Sequence, residues 1–98
     1  MGFYNGKISI EGELRQVITD FEIENNKIIG EYTYDINKGK LTNCRLDGNK
    51  LSCDWIEPKN IRGKLTAIFN SNFSEFIGIW FLSDDTYGGS WTGQTKMR

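Results

Sequence analysis

Ile28-Ile29-Gly30-Glu31-Tyr32 sets an apolar, a small and an aromatic residue at alternate positions. The same order returns in Leu51-Ser52-Cys53-Asp54-Trp55 and Phe76-Ile77-Gly78-Ile79-Trp80, and Gly89-Ser90-Trp91 repeats its last two members. Alternate residues of a β-strand share a face, so each trio presents one face of one strand. The small residues stand at 30, 53 and 78, an offset of 23 and then 25 residues. That spacing holds two strands and two turns, which makes the marked strand every second one of a meander. The repeat specifies an architecture and leaves the activity open.

The segments around each trio supply its partners. Val17, Thr19, Phe21 and Ile23 alternate before an Asn25-Asn26 pair, and asparagine tolerates the positive φ of a two-residue hairpin turn. This predicts strands over 14–24 and 27–35, with Ile23 opposite Ile28 and Phe21 across Gly30, where the ring covers bare backbone. A second hairpin joins 40–46 to 50–57, with Cys44, Leu46, Leu51, Cys53 and Trp55 as the inward set. A Gly48-Asn49 turn sets Leu46 against Leu51 and Cys44 against Cys53; an Asp47-Gly48 turn pairs Cys44 with Leu51 instead. Turn chemistry permits both registers, and apolar matching favours the first. A third hairpin joins 63–70 to 76–82, with Leu65, Ala67 and Phe69 on one strand meeting the set Phe76, Gly78 and Trp80 on the other. Strands over 3–10 and 87–95, the latter after a turn at Asp84-Asp85, bring the count to about eight. No segment shows a helical period or a capping box.

The expected fold is all-β, a single domain over 1–98. Short antiparallel strands in simple succession form either a closed barrel or a two-layer sandwich. Alternating small and large inward residues favour a small barrel, whose interior tapers. The chain also carries Tyr32-x-Tyr34, Gly39-Lys40-Leu41, Leu46-Asp47-Gly48-Asn49-Lys50-Leu51-x-x-x-Trp55-x-Glu57, Gly78-x-Trp80-x-x-Ser83-Asp84-Asp85 and Gly89-x-Trp91-x-Gly93. Over roughly residues 28–95 this resembles small bacterial meander domains of lipocalin-like or avidin-like build, with Cys53 where that pattern more often has glycine. The shared positions are turns and core, so the resemblance implies a fold and no activity. It carries over no biotin-contact set.

Composition removes several function classes. The 12 basic and 13 acidic residues are interspersed, and without a basic stripe neither nucleic-acid nor anionic-membrane binding is expected. No stretch has the length and apolarity of a membrane span, and the N-terminus lacks the features of a signal peptide, which reads as a cytoplasmic protein. Histidine is absent, which takes away the commonest general base and transition-metal ligand. A Ser-His-Asp arrangement cannot be built, two cysteines alone make a poor metal site, and no cofactor is implied. The expectation is a protein that is not an enzyme.

Four groups of residues remain as candidates. Tyr32, Tyr34, Trp55, Trp80 and Trp91 share the inner face. Short strands with large inward side chains favour a filled core, while the same flat rings with polar handles could line a pocket for an apolar, aromatic or sugar ligand. Such a pocket would open among the loops at 36–40, 57–61 and 83–88, opposite the tight turns. Cys44 and Cys53 read as reduced thiols, with a cross-strand disulfide open to them in the first register. Asp54, Glu57, Asp84 and Asp85 could serve acid-base chemistry only as facing pairs, and turn or solvated surface is their simpler reading. Finally, Ile77, Ile79 and Phe81 point outward if Trp80 points in, and Ile68 joins them. Such an apolar patch suggests a homo-oligomer, or otherwise a protein partner that the chain inhibits or adapts through this face or its loops.

Overall fold

A computed structural model describes residues 1–95; positions 96–98, included in the domain expected from the sequence, lie outside the described residues. Eight antiparallel strands follow one another around a closed barrel: β1 (Gly2–Ile10), β2 (Glu13–Glu24), β3 (Lys27–Tyr34), β4 (Asn37–Asp47), β5 (Lys50–Glu57), β6 (Ile61–Phe69), β7 (Glu75–Leu82) and β8 (Tyr87–Gln94). β1 meets β8 with Asn5 opposite Gln94 and Ile8 opposite Trp91, which leaves no unpaired sheet edge among these strands. The sandwich alternative is thereby excluded. No helix of the described residues is long and apolar enough to cross a membrane.

The hairpin registers follow from their turns. Asn25 and Asn26 have φ of 53° and 65°, the paired positive values of a type I′ turn, and Ile23 faces Ile28 while Phe21 faces Gly30. Across β6 and β7, Leu65, Ala67 and Phe69 face Trp80, Gly78 and Phe76. At the β4–β5 turn Leu46 faces Leu51, the register of a Gly48-Asn49 turn. That register does not persist. A bulge between Thr42 and Arg45, with Asn43 at φ 51°, shifts the pairing by one residue so that Leu41 faces Trp55.

The bulge corrects the expected inward set. Leu41 is fully buried, whereas Leu46 stays 40% exposed near the hairpin tip. It also leaves Cys44 beside Cys53, with Cα atoms 4.1 Å apart and the two sulfurs bonded. The free-thiol reading thus gives way to a disulfide, because the two strands bring these side chains together just where the ladder is interrupted. The β3–β4 connection is also shorter than expected: Lys38 to Lys40 pair with β3, leaving only Asp35-Ile36 as turn.

Inside, large rings sit across from glycines on the next strand. Tyr32 faces Gly39, Trp55 faces Gly63, Trp91 faces Gly78, Trp80 faces Gly89 and Phe76 faces Gly93. At Gly63 a Cβ would collide with the Trp55 indole and with the carbonyl of Phe81, so only glycine admits the ring there.

Candidate functional site

The barrel has two unlike ends. At the end holding the turns at 25–26 and 48–49 and the loop at 70–74, Tyr4, Phe21, Phe69 and Phe76 pack edge-on or tilted, with centroids 5.2 to 6.1 Å apart. Phe73, at the tip of the loop, lies 5.1 Å from Phe69 and stoppers the cluster. The Tyr4 hydroxyl donates to the Phe73 carbonyl at 2.6 Å. Asn70 holds the loop by accepting from the backbone N–H of Ser74 and Glu75. Burial raises the Tyr4 phenol above its usual range.

The opposite end is open. Its rim is made by the turns at 11–12 and 35–36, the short 3₁₀ turn Pro58–Asn60 and the turn at 83–86. Beneath it lies a cavity of about 410 Å³, whose walls include all five aromatics expected on the inner face: Tyr32, Tyr34, Trp55, Trp80 and Trp91. Trp55 and Trp80 meet edge-to-face at 5.8 Å, Tyr32 meets Trp91 in the same way at 4.7 Å, and the Tyr32 and Tyr34 rings lie parallel at 6.3 Å. Trp91 and Tyr32 are buried, while Trp80 and Tyr34 remain half-buried. Ile8, Ile10, Ile61 and Leu82 complete the apolar wall.

The polar feature of this cavity is Glu57. Its Oε2 accepts hydrogen bonds from the Tyr32 hydroxyl at 2.6 Å and the Tyr34 hydroxyl at 3.3 Å. Burial, and next the hydrogen bond to this carboxylate, hold the Tyr32 phenol far above its usual range. Tyr34 is raised as well, by burial and then by the Glu57 charge. Both hydroxyls therefore stay protonated and keep donating. The three indoles donate elsewhere: Trp55 to the Phe81 carbonyl at 3.1 Å, Trp80 to the Ser9 carbonyl at 3.1 Å, and Trp91 to the Thr19 hydroxyl at 3.0 Å.

Glu57 is the residue that the sequence reading passed over, set aside with the turn and surface carboxylates. The signal was present, because Trp55-x-Glu57 places the carboxylate on the indole's own face one period later. The other carboxylates do not join it. Asp54 accepts from Asn43 Nδ2 at 2.9 Å across β4 and β5. Asp84 caps its own turn by accepting from the Thr86 N–H at 3.0 Å, and hydrogen bonds from Thr86 hold its carboxyl below the usual range. Among the described residues no group of three or more Cys, Asp or Glu is placed to hold a metal ion.

On the outer face of β6 and β7, Ile68 lies opposite Ile77, and Ile79 lies opposite Thr66. All three isoleucines are exposed, Ile77 to 72%. Phe81 is only half-exposed and touches Tyr87 edge-on at 6.4 Å. Comparison of the chain with protein-family models, with curated proteins and with solved structures found no match.

Proposed function

We propose that this protein is a non-enzymatic binding module that takes a small ligand with a flat or apolar body into the open end of its barrel. The observation that supports it is the 410 Å³ cavity walled by Tyr32, Tyr34, Trp55, Trp80 and Trp91 beside the Glu57 carboxylate. Small-molecule sites are concave, mostly apolar and equipped with a few placed polar groups, and this cavity has that composition. The build is also the one implied by the resemblance to lipocalin-like and avidin-like barrels. A binding role is favoured over turnover because the chain has no histidine and the cavity holds two high-pKa phenols, both donating to Glu57, in place of an activated nucleophile. The test is a titration of intrinsic tryptophan fluorescence with apolar, aromatic and sugar compounds. Binding is expected to change the emission of Trp55 and Trp80. An unchanged spectrum across the panel counts against the pocket and favours a protein partner.

A second reading, compatible with the first, is self-association through Ile68, Ile77 and Ile79, with Phe81 at the edge of the patch. The exposed cross-strand Ile68–Ile77 pair favours it, since adjacent apolar side chains open to water mark interfaces more than isolated ones do. Sedimentation tests it directly: a monomer at tens of micromolar rules out a homo-oligomer of useful strength.

A further inference from the structure

The hydrogen-bonding inventory of the cavity is one-sided. Every side-chain donor of its aromatic wall is already engaged. The Tyr32 and Tyr34 hydroxyls donate to Glu57, and the indole N–H groups of Trp55, Trp80 and Trp91 donate to Phe81, Ser9 and Thr19. Among the described residues of the wall there is no Lys, Arg, Ser, Thr, Asn or Gln to offer a further donor. What remains is acceptance. Both tyrosines use Oε2 of Glu57, and Oε1 has no hydrogen-bond partner among the described residues.

The charge inventory points the same way. The wall contains two carboxylates, Glu57 and Glu11, and no basic side chain. Among the described residues the ion pairs are those of Arg15 with Glu13 and Asp35, and Glu57 forms none. A half-buried carboxylate among aromatic rings is a combination that attracts cations, through charge-assisted hydrogen bonds and through the ring quadrupoles.

We propose that the ligand of this cavity is an organic ammonium ion with an apolar or aromatic body, bound with its charged head at Glu57 Oε1 between the Tyr32 and Tyr34 rings and its body against Trp55 and Trp80. The inference rests on the pocket reading above and narrows it. It excludes fatty acids and other carboxylates, which would find no free donor and would face two like charges. A neutral sugar fits less well, because its own acceptors would go unmet.

The experiment titrates the purified protein with three probes on each of two skeletons, followed by tryptophan fluorescence and calorimetry at neutral pH. The ammonium probes are hexylammonium and phenethylammonium; the neutral ones are 1-hexanol and 2-phenylethanol; the anionic ones are hexanoate and phenylacetate. The ammonium ions are expected to bind about tenfold or more tightly than the matched alcohols, with no detectable binding of the carboxylates. Glu57→Gln should erase that preference, bringing the ammonium and alcohol affinities to within about twofold of each other. Circular dichroism reports whether this variant folds. Should it not, the ranking on the unaltered protein still decides. Equal binding of alcohol and ammonium, or a preference that survives in folded Glu57→Gln, overturns the cation assignment and leaves the pocket standing. Failure of all the probes overturns both.

Discussion

The two ends of this barrel are built from the same residue class and behave oppositely. At the closed end, phenylalanines and Tyr4 pack on one another until no space remains, and the loop residue Phe73 fills the last gap. At the open end, tryptophans and tyrosines lean on the wall, each tied by its polar atom to a strand or to Glu57, and a cavity is left between them. Phenylalanine has no polar atom to satisfy and can be packed from all sides. An indole N–H or phenol must find a partner: Trp55 and Trp80 find theirs in the Phe81 and Ser9 carbonyls, Trp91 in the Thr19 hydroxyl, and the two tyrosines in Glu57. The closed end is thus packed as core, while the open end keeps a cavity among its rings.

The sharpest way to break this contrast is to cut one ring at each end. Phe76→Ala at the closed end empties a fully packed position and is expected to cost about 3–5 kcal/mol, read as a lower urea midpoint. Tyr34→Ala at the half-buried rim should cost no more than about 1–2 kcal/mol, because its ring already borders the cavity. Equal costs would mean that the open end is as much a core as the closed one.

Reduction of the Cys44–Cys53 bond probes the wall between the ends. The cysteines are separated by 9 positions, and opening so short a loop should lower stability by about 2–3 kcal/mol, measured by unfolding with and without a reductant. No loss would mean that the bulged strand pair holds its geometry unaided.

Alkaline pH separates the ends by cause. Folding raises the phenols of Tyr4, Tyr32 and Tyr34, so the native state keeps protons that the unfolded chain releases above about pH 10. Their contribution is complete below that pH and is lost as pH rises through the native values. Glu57→Gln should soften the alkaline loss from the open end, where the carboxylate adds to burial, and leave the Tyr4 part untouched. An identical pH profile for the two proteins would show that Glu57 does not govern these phenols.

The smallest effect is expected outside the barrel. Ile79→Lys lies on the outer face and should change monomer stability by less than about 0.5 kcal/mol, while dissociating any assembly formed through that patch. A large loss of stability without a change of mass would show that the isoleucines are covered from within the chain.

Much of the scaffold was legible because its signals are local. Asn25-Asn26 declares its own turn, and the alternation on both sides fixes which residues meet. Closure into a barrel was legible from the alternation of small and large inward residues, but the register of β1 on β8 was not, since two strands so far apart in the chain carry no mutual mark beyond each having an apolar face. Nor was the bulge. Cys44 suits either register, and only the demand that Leu41 reach the interior beside Trp55 forces the extra residue. The five rings of the site were found by period alone, yet the sequence could not say whether they fill the axis or line it. That depends on where each N–H or O–H finds a partner, which is a matter of three-dimensional neighbours. Glu57 was visible by spacing and was discounted by residue type.

The pairing of Tyr32, Trp55, Trp80 and Trp91 with glycines on neighbouring strands has a consequence for how this cavity can change. A ring and its seat form a lock in which neither half can be altered alone: filling the seat at Gly39 would push the Tyr32 phenol out of place, and shrinking the phenol would leave the seat empty. New cavity shapes would therefore be reached most easily by exchanges made in couples, a smaller side chain at 32 together with a larger one at 39. A library varied one position at a time would pass over most of the shapes this barrel is able to hold.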